Sequence, residues 1–424
     1  MDSLKLLYNI QETVDVIRRE NCKLVALQFP DEMLNDADTV AACLRSQLDD
    51  NVNVYILGDT SVCPCCVDIV AVEHIHADLV VHYGDACMSQ VKDIPVYYSF
   101  GYSVLDIDCL MDSLRERFGG TQRTIYLGYD LSFSHCIDKV YEELKQHFAN
   151  VLKGEVVHSQ NLSYSEHFDS EYIRFGYHYF KTATRDPNGI LVFLCKDNTD
   201  VSNYFVNGNL YSVLLDSGLS QALAFTDSQL MAVSPNKFLM QRYVNIERIE
   251  HVSILGIIVG TLSVAHYRQM LNMLITQAEQ NGQQAYPIMV GKLSLPKLAN
   301  FPGMEGFVMI GCERSCFIDS HEYPFPIVMP YEYLISVGKR QWEEFYIHDY
   351  SKLLEQGEEE KEDENSVEIV NEKDGQIIAF ESKALDFINQ QQYCGLKQNE
   401  DVTTPAVLKK GQSGIASCYE NELF

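Results

Sequence analysis

Two short segments of the sequence concentrate residues that could do chemistry. GDTSVCPCCVDIVAVEHIHADLVVHYGDACMS, residues 58–89, carries Cys63, Cys65, Cys66 and Cys87. GFVMIGCERSC, residues 306–316, carries Cys312 and Cys316. Thiolates are the soft ligands of iron–sulfur centres, and three of them leave a cluster with one exchangeable iron. Zinc more usually advertises itself by closely paired CxxC or histidine-containing spacings. Adjacent Cys65 and Cys66 would point to opposite sides of an extended chain, so the two are not expected to ligate one small cluster together. Spacing alone leaves a metal centre and scattered structural thiols both open.

The other polar groups offer no rival chemistry. His74 and His76 are two residues apart and share no helical face, and with His82 they read as surface or locally hydrogen-bonded histidines. The sequence has no GxSxG elbow, no GxGxxG after a strand and no phosphate-binding GxxxxGK[ST] loop. A hydrolase, a nicotinamide enzyme and a nucleotidase therefore lack support. Cys22, Cys43, Cys109 and Cys136 lie in or beside apolar patterns and read as small buried thiols.

The elements that must position the thiols follow a rhythm of short β-rich runs and helix-like segments, the pattern of parallel sheets with crossover helices. In the first third the expected strands are LVALQF (24–29), VYILGD (54–59), ADLVVHYG (77–84) and IPVYYSF (94–100). The middle third offers TIYLGYD (124–130), EVVHS (155–159), ILVFLCKD (190–197) and ALAFT (222–226). The last third offers SILGIIVG (253–260), YPIMVGKLS (286–294), GFVMIGCE (306–313) and PIVMPYE (326–332). The expected fold is thus α/β, with three similar domains at 1–120, 121–248 and 249–345. Each has a four-stranded parallel sheet flanked by helices. Cys63, Cys65, Cys66, Cys87 and Cys312 all follow strands, and the carboxyl ends of strands in an open parallel sheet line its ligand crevice. Three such thiols from two domains converge if the domains face each other across a cleft.

Beyond residue 345 the rhythm fades into a flexible, largely disordered acidic tail, 346–424, in which 355–374 reads EQGEEEKEDENSVEIVNEKD. Tyr346, Tyr350 and the segment 377–380 are the places where it could dock. A formal charge of −28 disfavours direct nucleic-acid binding, which rewards clustered Lys and Arg, and makes proteins the expected partners. No run approaches the roughly 20 apolar residues of a membrane span, and Met-Asp-Ser-Leu-Lys does not open a signal peptide. A cytoplasmic location is expected, where thirteen cysteines are free thiols or metal ligands rather than disulfides.

VALQFPDEML, GDTSVCPCCVD, AVEHIHADLVVHYGDACMS, VGKLSLPKLANFP, GCERSCFID and MPYEYLI, in this order, closely resemble the diphthamide synthase family over residues 24–334. The resemblance implies three α/β units around one 4Fe–4S cluster. It also implies transfer of a 3-amino-3-carboxypropyl group from S-adenosylmethionine to a histidine carbon of elongation factor 2. In that reaction a reduced cluster breaks a carbon–sulfur bond of the cofactor, while the protein binds and orients. Catalytic members carry a cysteine in a Leu-Gly-Cys string at the first strand end of the second domain; this chain has Tyr129 there, in TIYLGYD. The family's second subunit maps its ligands onto Cys66, Cys87 and Cys312, with Cys65 a minor alternative to Cys66 and with Cys63 and Cys316 as spare thiols. The implied role is a non-catalytic iron–sulfur subunit in a heterodimer with a homologous catalytic subunit, supporting reduction of the partner's cluster by an electron-donor protein. A cluster-free scaffold and a catalytic radical transferase are the alternatives.

Overall fold

Runs of five or six residues rich in Val, Ile, Leu and Tyr form the centres of three sheets, since strands covered on both faces must be apolar throughout. The computed structural model describes residues 2–58, 63–91, 94–165, 168–169, 171–196, 208–291, 293–316, 323–343, 345–355, 414–415 and 418–419. It divides into two units, Met1–Glu362 and Asp363–Phe424. In the second, Gly414–Ile415 pairs antiparallel with Cys418–Tyr419. The expected tail otherwise lies outside the described residues from 356 onward, including its acidic stretch and the segment 377–380.

In the first sheet β1 (Leu24–Gln28) lies between β2 (Asn53–Ile56) and β3 (Leu79–Tyr83), and β4 (Val96–Ser99) pairs with β3, all parallel. The middle sheet begins with β5 (Ile125–Tyr129) paired in parallel with β6 (Val151–Glu155). The chain then crosses to the first sheet, where β7 (Ser159–Gln160) lies antiparallel to β4. It returns as an antiparallel hairpin of β8 (Tyr172–Phe175) and β9 (His178–Lys181), which extends the sheet beyond β6. On the other side of β5 come parallel β10 (Ile190–Leu194) and β11 (Ala222–Thr226), then antiparallel β12 (Gln229–Val233). The third sheet is parallel throughout: β13 (Ile254–Val259), β14 (Gln284–Met289), β15 (Gly306–Ile310) and β16 (Ile327–Val328), in the order β14-β13-β15-β16. Within each sheet the four parallel strands run second, first, third, fourth, so the repeat is one of topology.

Three expectations are corrected in detail. The strand expected at 155–159 is β6, four residues earlier, because Ser159 leaves for the first sheet. The β8–β9 hairpin and β12 add antiparallel strands to a sheet expected to be wholly parallel. PIVMPYE keeps only two strand residues, after which Pro330 opens the helix Pro330–Ser336. Proline suits that first helical position, where its missing N–H costs nothing.

The buried Arg242 of helix Asn236–Glu250 pins this last helix. Its Nε donates to Glu332 Oε1 at 2.7 Å and one terminal nitrogen donates to the Ile327 carbonyl at 2.9 Å. The first and middle sheets share one core, around Val80, Val96, Ile125 and Val192. The middle and third sheets share another, around Phe193, Leu255 and Phe307. Tyr346 and Tyr350 dock as expected, both buried. Among the described residues no helix is long and apolar enough to cross a membrane.

Candidate metal centre

The cysteines sit on strand-end loops fixed by backbone hydrogen bonds. After β2 the chain turns at Cys63–Cys66, closed by the Cys66 N–H donating to the Cys63 carbonyl at 2.9 Å. Buried Gln28, the last residue of β1, holds this loop from below. Its Nε2 donates to the Cys66 carbonyl at 2.7 Å and its Oε1 accepts from the Asp68 N–H at 2.9 Å. Asp68 then caps the helix Ile69–Ile75, accepting from the Ala71 N–H at 3.0 Å.

After β3, Gly84 turns the chain at φ +81, a conformation in which a side chain is strained and in which a Cβ would meet Pro30 at 3.1 Å. Three residues later the Cys87 N–H donates to the Cys65 carbonyl at 3.0 Å, fastening the two loops together. From the third sheet, Cys312 follows β15. Gly311, just before it, exchanges two hydrogen bonds with the Tyr350 hydroxyl, at 2.8 and 2.9 Å. Ser263 Oγ donates to the Val67 carbonyl at 2.5 Å and so ties the third-sheet loop to the first-sheet one.

The result is a group of four thiols, Cys65, Cys66, Cys87 and Cys312, whose sulfurs all lie within 4.8 Å of one another and whose residues are all buried. Cys65 Sγ is 3.7 Å from Cys312 Sγ, and Cys87 Sγ is 3.7 Å from Cys66 Sγ. The expected three thus converge, and Cys65 joins them. The expectation that Cys65 and Cys66 point apart fails because it assumed an extended chain, whereas this segment is a turn. Cys63 is half-buried, with its Sγ 3.3 Å from Cys65 Sγ. The side chain of Cys316 lies outside the described residues. Contacts among the sulfurs split their acidities: those from Cys312 and Cys63, with burial adding, push Cys66 up, while hydrogen bonding led by Cys312 lowers Cys87 against the effect of burial.

Beside the thiols opens a cavity of ≈ 520 Å³, lined among others by Cys63, Cys65, Asp85, Asp130, Asn209 and Arg314. Arg314 pairs with Asp85 at 2.6 Å. Asn209 Nδ2 donates to Asp130 Oδ1 at 3.0 Å and to Asp85 at 3.2 and 3.3 Å. Burial first, then the neighbouring Asp85, raises the Asp130 carboxyl to about 6. Four residues, one from each of four segments, thereby join all three sheets at one polar wall. The sequence reading missed them, and also Gln28 and Ser263, since an isolated polar residue after a strand carries no spacing signal.

Tyr129, expected to face this cleft, is buried in the apolar core shared by the first and middle sheets, its ring edge-on to His178 at 4.7 Å. Its neighbour Asp130 is the residue that reaches the cleft. Cys195, at the end of β10, lies in the other core, its thiol pushed up by burial. His74 and His76 are exposed, and His82 is buried beside the Tyr98 ring. Cys22 is buried, its thiol pushed up to about 11 by burial, while Cys43, Cys109 and Cys136 are half-buried.

A family model described as "Putative diphthamide synthesis protein" matches residues 29–347, a span that includes every thiol of the group. The chain belongs to the diphthamide synthesis protein family. Within it, the chain is 30% identical to the 2-(3-amino-3-carboxypropyl)histidine synthase subunit 2 of Danio rerio, covering 99% of this chain and 92% of the relative. The namesake protein of Schizosaccharomyces pombe is 30% identical, over 98% of this chain and 90% of the relative. A crystal structure of Dph2 from Pyrococcus horikoshii with a 4Fe–4S cluster superposes with a TM-score of 0.58 at 18% identity, covering 79% of this chain and 92% of that one. The diphthamide synthesis family therefore supplies the fold as well as the sequence pattern.

Proposed function

We propose that this chain is the second, accessory subunit of the enzyme that begins diphthamide synthesis, and that it holds a 4Fe–4S cluster through Cys66, Cys87 and Cys312. The observation that carries the reading is the buried group of thiols, delivered to one point by the first and third sheets. Its donor set is all sulfur, which fits an iron–sulfur cluster. The names of the relatives, over nearly the whole chain, support the assignment to subunit 2, and the cluster in the archaeal Dph2 structure supports the cofactor.

When bound, the cluster supplies one-electron chemistry. The chain's own residues would hold it and orient the loops that carry its ligands. Gln28, Ser263 and Tyr350 fix the three backbone segments. The middle sheet presents Tyr129 to the apolar core where catalytic members carry a thiol, which supports a non-catalytic role. On this reading the chain pairs in the cytoplasm with its homologous catalytic subunit and supports reduction of that subunit's cluster by an electron-donor protein. The complex transfers the 3-amino-3-carboxypropyl group from S-adenosylmethionine to a histidine of elongation factor 2.

The close packing of the sulfurs favours one rival centre. A tetrahedral zinc site, with Zn–S near 2.3 Å, spaces its sulfurs by about 3.8 Å, close to the 3.7 Å contacts here. Anaerobic reconstitution separates the two: iron and sulfide in equal amounts with broad visible absorbance are expected, and one zinc per chain without iron would refute the cluster. Comparing the chain alone with the heterodimer on elongation factor 2 tests the accessory role. Transfer only by the heterodimer is expected; repeated turnover by this chain alone would make it a catalytic subunit.

A further inference from the structure

We propose that Cys65 supplies a fourth thiolate to the cluster, so that this chain caps every iron and leaves no position for an outside ligand. The inference rests on the cluster reading above and extends its ligand set. Cys65 is 5% exposed, its Sγ is 3.7 Å from Cys312 Sγ, and it belongs to the group whose four sulfurs lie within 4.8 Å of one another. Its backbone is held as firmly as those of the other ligands, because its carbonyl accepts the Cys87 N–H at 3.0 Å. Cys63 differs in being only half-buried and in lying outside the group of four.

The turn at Cys63–Cys66 is what permits adjacent cysteines to serve one centre. Four thiolates, one to each iron, complete the coordination of a 4Fe–4S cluster. Cys65 gives up its thiol proton to solvent as it binds, and no oxidant or reductant is consumed. A cluster with a protein thiolate on every iron would exchange electrons but would leave no open iron for an outside ligand. Cys65 therefore confines the centre to electron transfer, which gives the accessory role a physical cause on this chain.

The full chain, reconstituted anaerobically, tests this by ferricyanide oxidation followed by iron analysis and spin resonance. Wild type is expected to keep about four irons and to show no 3Fe–4S signal, since every iron is held by protein. Cys65→Ser, which keeps the side-chain volume, and Cys63→Ala/Cys65→Ala, which prevents Cys63 from substituting, are expected to lose about one iron per chain and to gain that signal. Cys63→Ala alone should match wild type. Near-ultraviolet circular dichroism checks that the variants are folded. If wild type forms the 3Fe–4S signal as readily as the Cys65 variants, or if Cys63→Ala alone produces it, the fourth ligand is overturned while the cluster stands. Wild type that takes up no iron overturns the cluster reading itself, a distinguishable result.

Discussion

At the residue scale, the proposed ligands are buried thiols whose backbone segments are held by hydrogen bonds that do not involve sulfur. Cys66→Ala, Cys87→Ala and Cys312→Ala are each expected to lower iron content and visible absorbance after anaerobic reconstitution while far-ultraviolet circular dichroism stays as in wild type. Unchanged iron in all three would remove them as ligands. Tyr129→Cys is expected to leave iron content unchanged and to confer no transferase activity on the chain alone, because that side chain lies in an apolar core away from the thiols. A gain of activity would show that the strand end communicates with the site. Gln28 acts through the loop it holds: Gln28→Leu leaves the Cys66 carbonyl and the Asp68 N–H without their partner. It should cost about 1–3 kcal/mol in urea unfolding, with lower iron occupancy as its second readout. Wild-type values of both would reduce Gln28 to filler.

At the element scale, the helices and loops behind the third sheet decide where Cys312 points. Helix Tyr267–Gln280 has Met270, Leu274 and Ala278 buried at helical spacing, and the chain leaves it through Gly282 at φ +74. Helix Pro330–Ser336 is different, because a long-range contact holds it. Arg242 and Glu332 are 2% and 0% exposed at their side chains and meet through two nitrogens. Arg242→Met strips the buried carboxylate of its cation and should destabilise the protein by about 3–5 kcal/mol, whereas Arg242→Met/Glu332→Leu should recover much of that loss. Urea unfolding of both variants measures it. A single variant as stable as wild type would mean that the pair contributes little to holding the helix.

At the scale of the whole molecule, three sheets meet at the polar wall of the cavity, and the titration of Asp130 should report on that meeting. Its carboxyl is raised from 3.8 to about 6 by burial and by Asp85. The folded state therefore binds this proton more tightly than the unfolded chain. The group costs nothing below about pH 4, and its destabilising contribution grows as pH rises through 6. Asp130→Asn removes that dependence, so the variant should gain about 1–2 kcal/mol relative to wild type between pH 4.5 and 7.5, a figure discounted for the partial exposure of the residue to the cavity. A stability difference that stays flat across that range would place the carboxyl in open solvent.

The sequence by itself determined the parallel strands at the centre of each sheet and placed thiols in the loops after them. Apolar runs such as LVALQ, LVVHY and ILGIIV have the length and β-richness of buried strands, and Cys87 and Cys312 lie a few residues past two runs of this kind. It also carried the proposed ligand set, because Cys66, Cys87 and Cys312 follow strands in strings that match a family. The tertiary structure decided what spacing cannot encode. A turn set by one backbone hydrogen bond brought Cys65 in beside Cys66. Glu332 found Arg242 ninety residues away and made a helix of an expected strand. The side-chain alternation along β5 sent Tyr129 into the core and left Asp130 for the cleft. Each of these depends on which face or partner a residue meets after the sheets have assembled, and local propensity carries no record of that.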